Sequence, residues 1–99
     1  MTVTVVTYRK GGNPEAVTAA ARKGKAVWEK HGAERFMLNF VAAGPDPGQW
    51  SLVIMFSDWN AFGKAMHGTE SDPAFREFLS EMDAAAELVS RRLLGSVDL

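Results

Sequence analysis

Apolar residues recur along the chain with two periods, and the places where one period gives way to the other mark out its strands and helices. Thr2 to Tyr8, "TVTVVTY", is a β-branched run that reads as a strand. It is closed by "RKGGNP", whose glycines turn the chain before Asn13 as N-cap and Pro14 at the first helical position. From Pro14 the period lengthens. Val17, Ala20, Ala21, Gly24, Val27, Trp28 and His31 fall at the i, i+3, i+4, i+7 spacing of a helix, while Arg22, Lys23, Lys25, Glu29 and Lys30 lie largely elsewhere. Gly32 is the expected stop.

Two further apolar runs, Glu34 to Ala43 and Gln49 to Ser57, flank "GPDPG", and predict a hairpin. A short helix from Trp59 to His67 follows, broken at Gly68. A longer one is opened by Asp72 as N-cap and Pro73 at N1, with Phe75, Phe78, Leu79 and Met82 as its apolar face. Leu88 to Val97 predicts a final strand; "DAAAE" is able to prolong the helix towards it, which leaves its start open. The order is β-α-β-β-α-β with the second helical segment in two pieces. It predicts one α+β domain over residues 1–99, a ferredoxin-like antiparallel sheet with helices on one face.

Such a sheet should alternate apolar and polar residues if its bare face is wet. Here Phe36, Leu38 and Phe40 are opposed by Met37, Asn39 and Val41. Likewise Trp50, Leu52, Ile54 and Phe56 are opposed by Ser51, Val53, Met55 and Ser57. The second face is mixed rather than polar, and a homodimer closing over two such open sheet faces is the expected way to cover it.

Composition narrows the classes. The formal net charge of −1, with Lys and Arg scattered, leaves no electrostatic footprint for a nucleic-acid backbone. The absence of cysteine removes disulfides, thiolate nucleophiles and the usual structural zinc sites. The N-terminal stretch lacks the basic and apolar regions of a secretion signal, and no apolar run approaches the roughly 18 residues of a membrane span. A cytoplasmic protein with no membrane partner is the expectation.

Candidate chemistry is sparse. At about 100° per residue Trp59, Phe62 and Met66 share one stripe, with His67 at its edge. That histidine is either a partly buried imidazole capping a helix end or a catalytic group that orients or deprotonates a substrate near neutral pH. His31, just before Gly32, suits a helix C-terminus. Two histidines, even with Glu70 three residues after His67, give no metal site. "RKGG" reads as a turn with solvated charges. Tyr8, Asn39, Ser51 and one of the adjacent Arg91 and Arg92 are placed by strand parity on the mixed face or its rim. There they either pair within a dimer or serve, with Trp59, as the polar points of a cavity that binds a small organic molecule.

"FSDWNAFGKAMHGTESDPAFREFL" resembles the antibiotic biosynthesis monooxygenase family of the dimeric α/β barrel superfamily. The likeness lies in a strand ending in an aromatic, an Asp-led short helix with a histidine at its end, then an Asp-Pro start and "FREFL". It covers Phe56 to Leu79; elsewhere only the element order matches. The resemblance implies a dimer with facing sheets and a pocket between sheet and helices in each subunit, with His67 at a position where many members carry histidine. Since the superfamily includes cofactor-independent oxygenases acting on electron-rich aromatic substrates and also members with no known activity, the expectation is a binder of a small aromatic or apolar molecule that is either a cofactor-independent monooxygenase or a non-catalytic binding or assembly module. The haem-degrading branch carries an asparagine, a tryptophan and a haem-ligating histidine where this chain has Thr7, Phe56 and Leu79. No cofactor is therefore expected.

Overall fold

In a computed structural model, which describes residues 1–45 and 47–99, the chain forms β1 (Val3–Lys10), α1 (Pro14–Lys30), β2 (Arg35–Phe40), β3 (Gln49–Phe56), α2 (Trp59–Glu70), α3 (Pro73–Ala85) and β4 (Glu87–Gly95). Asp46, part of the expected turn between β2 and β3, lies outside the described residues. The strands pair antiparallel in the order β2-β3-β1-β4. This is the expected ferredoxin-like sheet with its helices on one side.

The helix starts follow local chemistry. Asn13 Oδ1 accepts from the Glu15 and Ala16 amides ahead of α1, Asp58 Oδ1 accepts from Ala61 N ahead of α2, and Asp72 Oδ1 accepts from Ala74 N ahead of α3. Each carboxamide or carboxylate satisfies amides that a helix start leaves without partners. Val17, Ala20, Ala21, Gly24, Val27 and Trp28 are the buried face of α1, as the spacing predicts. Of these, Ala20, Ala21, Val27 and Trp28 pack with Phe78 and Met82 of α3 on the sheet residues Val3, Val5, Phe36, Leu52, Ile54 and Phe56.

Two expectations are corrected. The second helix does not end at Gly68 but runs on to Glu70. Gly68 is there because the His31 ring lies against it: a β-carbon at that position would sit 2.5 Å from His31 Nδ1. His31 Nε2 in turn meets Asp72 Oδ2 at 2.6 Å, joined by Lys30 Nζ at 3.1 Å. The end of α1 is thereby fastened to the corner between α2 and α3. These contacts hold the Asp72 carboxyl at about 2, with the His31 hydrogen bond the largest cause, then the Ala74 amide and the Lys30 ammonium.

The second correction concerns Arg9. It is not a solvated turn residue, because β1 extends through Lys10 and carries Arg9 on the buried parity of Val3 and Val5. It is 5% exposed.

The domain is only 17 Å thick, one sheet and one helix layer. Its accessible surface of 6027 Å² exceeds the roughly 5,500 Å² of a compact monomer of this mass. On the open face of the sheet Val6, Met37 and Val53 align across three strands, with Arg92 completing the row on β4. Asn39, Ser51, Tyr8 and Ser90 form the next row.

Candidate functional site

Between the sheet and the helices lies a cavity of about 310 Å³, at the small end of the range for organic ligands. Its floor is Val5 and Thr7 of β1 with Leu52 and Ile54 of β3. Trp28 of α1, Met66 of α2 and Phe75, Phe78 and Leu79 of α3 form the roof. The aromatic part of that roof is interlocked: Trp28 meets Phe56 and Phe75 edge to face at 5.8 and 5.2 Å, and Phe78 meets Phe36 at 6.5 Å. Such contacts hold the rings in fixed orientations.

Polar groups gather at one end, where Arg9, Asp83, Leu88 and Arg91 close the cavity. Arg9 Nη1 donates to Asp83 Oδ1 at 2.9 Å and to the Ala86 carbonyl at 3.0 Å. Because Ala86 alone separates α3 from β4, the guanidinium pins the junction between them. Beyond it opens a wider, shallower depression bordered by Lys10, Gly12, Ala84 and Glu87. Arg9 and Asp83 border both spaces and so divide the apolar interior from the outer cleft.

The residues singled out from sequence are distributed over three places. Arg91 pairs with Thr7 across the β1–β4 ladder and lines the cavity. Its neighbour Arg92 takes the opposite parity and lies over the Tyr8 ring at 5.9 Å on the open face. Tyr8 and Asn39 share that face, each paired with Ser51 of β3. The structure therefore groups Tyr8, Asn39 and Arg92 with one another, and away from the cavity.

Trp59 and His67 are exposed on α2. Trp59 Nε1 approaches Met1 Sδ at 3.0 Å. His67 makes no hydrogen bond to a described residue and is not among those lining the cavity, although its neighbour Met66 is. Sequence reasoning missed Arg9 and Asp83. For Arg9 the signal was present: Val3, Val5, Thr7 and Arg9 alternate with Thr4, Val6 and Tyr8, so a strand prolonged by two residues turns the arginine inward. Among the described residues no group of three or more His, Cys, Asp or Glu could hold a metal ion, and no helix is long and apolar enough to cross a membrane.

No protein-family model and no curated protein matches the sequence. Solved structures do match the fold. SnoaB, a cofactor-independent oxygenase from Streptomyces nogalater, is similar in two crystal structures with TM-scores of 0.76 and 0.71. Both are 17% identical and cover 99% of this chain, with 95% and 94% of the SnoaB chains covered. A NIPSNAP domain protein from Burkholderia xenovorans has a TM-score of 0.76 at 17% identity, covering 98% of this chain and 95% of that one. The protein Atu4242 from Agrobacterium tumefaciens reaches 0.74 at 18% identity, with 98% and 94% covered. These likenesses extend over almost the whole chain and show the fold it shares with them, a ferredoxin-like antiparallel sheet covered on one face by helices.

Proposed function

We propose that this chain binds a compact, largely apolar organic molecule in the cavity between sheet and helices, as a homodimer closed over its open sheet faces. The observation that carries this reading is the cavity itself. Trp28, Met66, Phe75 and Phe78 give it an apolar roof, and its charged groups are confined to one end, the usual division of labour between affinity and orientation in small-molecule sites.

The finer reading is a cofactor-independent monooxygenase acting on an electron-rich aromatic substrate. The structural likeness to SnoaB supports it. In such chemistry the substrate itself, once deprotonated, supplies the electrons to dioxygen. The protein has to exclude water, hold the ring and stabilise the anion, for which Arg9 and Arg91 supply positive charge at the cavity end. In the oxygenase reading His67, next to Met66 of the cavity wall, steers or deprotonates the substrate and Arg91 lines its pocket, while Tyr8, Asn39 and Arg92 on the open face belong to the dimer closure.

A non-catalytic binding module is the alternative. It is favoured by the exposure of His67 and by the engagement of Asp83, the one carboxylate among the described lining residues, with Arg9. Oxygen consumption over a panel of oxidisable phenols, in the wild type and in His67→Ala, separates the two. Turnover lost in the variant at unchanged melting temperature supports the oxygenase; no turnover by either protein, with ligand binding retained, supports the module. Light scattering that gives a monomer at micromolar concentration sinks the dimer.

A further inference from the structure

The residues that line the cavity divide by exposure. Val5, Arg9, Trp28, Leu52, Ile54 and Phe78 are buried, whereas Leu79 and Asp83 of α3 and Leu88 and Arg91 of β4 reach solvent. The cavity therefore opens between α3 and β4, at its polar end. β4 is an edge strand, and the helices leave its inward face uncovered: Leu88 and Leu93, which share that face with Arg91, are 52% and 49% exposed. An arginine set between two leucines thus stands at the rim of an apolar space.

Charge at this rim does not balance. Arg9 and Asp83 meet at 2.9 Å and offset each other, and Glu87 is taken by Lys10. Arg91 forms no ion pair and no side-chain hydrogen bond with a described residue. Its direct cross-strand partner is Thr7, which lines the same cavity. The Thr7 hydroxyl also lacks a partner among the described residues, and it retains accessible surface. Directly opposed residues of an antiparallel pair place their β-carbons about 4.5–5.5 Å apart. A free guanidinium and a free hydroxyl are therefore within reach of one small group at the cavity mouth.

We infer that the ligand is a carboxylate with an apolar body: the body fills the space under Trp28, Phe75 and Phe78, and the carboxylate stays at the rim against the Arg91 guanidinium, with the Thr7 hydroxyl donating to one of its oxygens. A carboxylate matches the planar fork of a guanidinium and carries the single negative charge that the rim lacks. A dianionic phosphate would leave one charge over, and a cationic head would meet only Asp83, which Arg9 already holds. At a mouth open to solvent the head keeps part of its hydration and escapes the cost of full burial. This assignment rests on the cavity being a ligand site and names the class of molecule it takes.

The test is calorimetric titration of the whole protein with octanoate and naphthoate, each against the amide of the same shape. NMR follows the Met66 methyl, assigned with Met66→Leu, and its shift places a bound probe in the cavity. Each acid is expected to bind about fivefold more tightly than its amide at low ionic strength, as a partly exposed ion pair allows, and to lose most of that advantage in about 0.5 M salt. Arg91→Gln, at an exposed site, should bring the acid down to the amide and leave the amide unchanged. Thr7→Val should weaken both by a few-fold, because the hydroxyl serves an oxygen of either. Equal affinity of acid and amide, or an advantage that survives Arg91→Gln, overturns this inference and leaves the cavity as a ligand site. An acid that binds without moving Met66 overturns it too. Binding of no probe overturns both this inference and the reading on which it rests.

Discussion

Replacing Gly24 with alanine sets two effects of known size against each other. Within α1 alanine is favoured over glycine by roughly 1 kcal/mol. The added β-carbon, however, would lie 2.5 Å from Phe78 Cε1 and 2.9 Å from Cδ1 and Cζ. Ordinary carbon contacts sit at about 3.5–4.0 Å, so the ring has to retreat by about 1 Å. Phe78 is buried, with the rings of Phe36 and Phe75 centred 6.5 and 6.1 Å away. The open direction is the cavity it lines. Overpacking of this kind costs about 1–3 kcal/mol, which leaves a net loss of roughly 1 kcal/mol after the helical gain. For a domain of this size that lowers Tm by about 4–8 °C. Ligand affinity should fall with it, because the displaced ring narrows the cavity. Thermal unfolding of the wild type, Gly24→Ala, Phe78→Leu and the double variant closes the cycle: once the ring is gone, the alanine should be neutral or stabilising, with a coupling of about 1–3 kcal/mol. A higher Tm for Gly24→Ala alone would refute the reasoning.

Three further expectations follow from the same geometry. The Asp72 carboxyl is held at about 2 against an ordinary 3.8, so the unfolded chain takes up its proton at higher pH than the folded one. The stabilisation is whole above the ordinary value and is lost as pH falls towards about 2, a slope that urea midpoints should show and that Asp72→Asn should flatten. Val53→Lys places a charge between Met37 and Val6 on the open face; light scattering should report the mass of one chain for the variant and of two for the wild type. His67→Ala, at an exposed site, should change stability by no more than about 0.5 kcal/mol in denaturant titration; a larger loss would mean that this imidazole is packed or partnered in the proposed dimer.

The features that sequence makes legible here are those governed by near neighbours. Asn13-Pro14 and Asp72-Pro73 announce helix starts because the cap and the amides it serves lie within three residues. The buried face of α1 follows from its period alone. Gly68 misleads for the opposite reason: glycine is an ordinary helix stop, but this one makes room for a ring that arrives from residue 31. Arg9 is harder still. Its burial depends on a carbonyl at Ala86 and a carboxylate at Asp83, far along the chain, and nothing in "RKGG" foretells them. Parity correctly separates Arg91 from Arg92, yet it does not say which neighbour looks towards the helices. The sequence therefore leaves open which arginine joins Tyr8 and Asn39; it is Arg92, and the sheet stands between that group and the cavity that Arg91 lines.

The position of β1 between β3 and β4 has a kinetic side. Thr2 and Ser96 exchange hydrogen bonds across a separation of 94 residues. Closing a loop of that length costs about 4 kcal/mol of chain entropy before its contacts repay any of it. The first strand therefore waits for the last, and the chain should fold more slowly than a helical bundle of equal length. During that wait β1 offers an unfilled edge to any other strand. The same vacancy that ends in a closed ladder is, for as long as it lasts, this chain's main opportunity to pair with the wrong molecule.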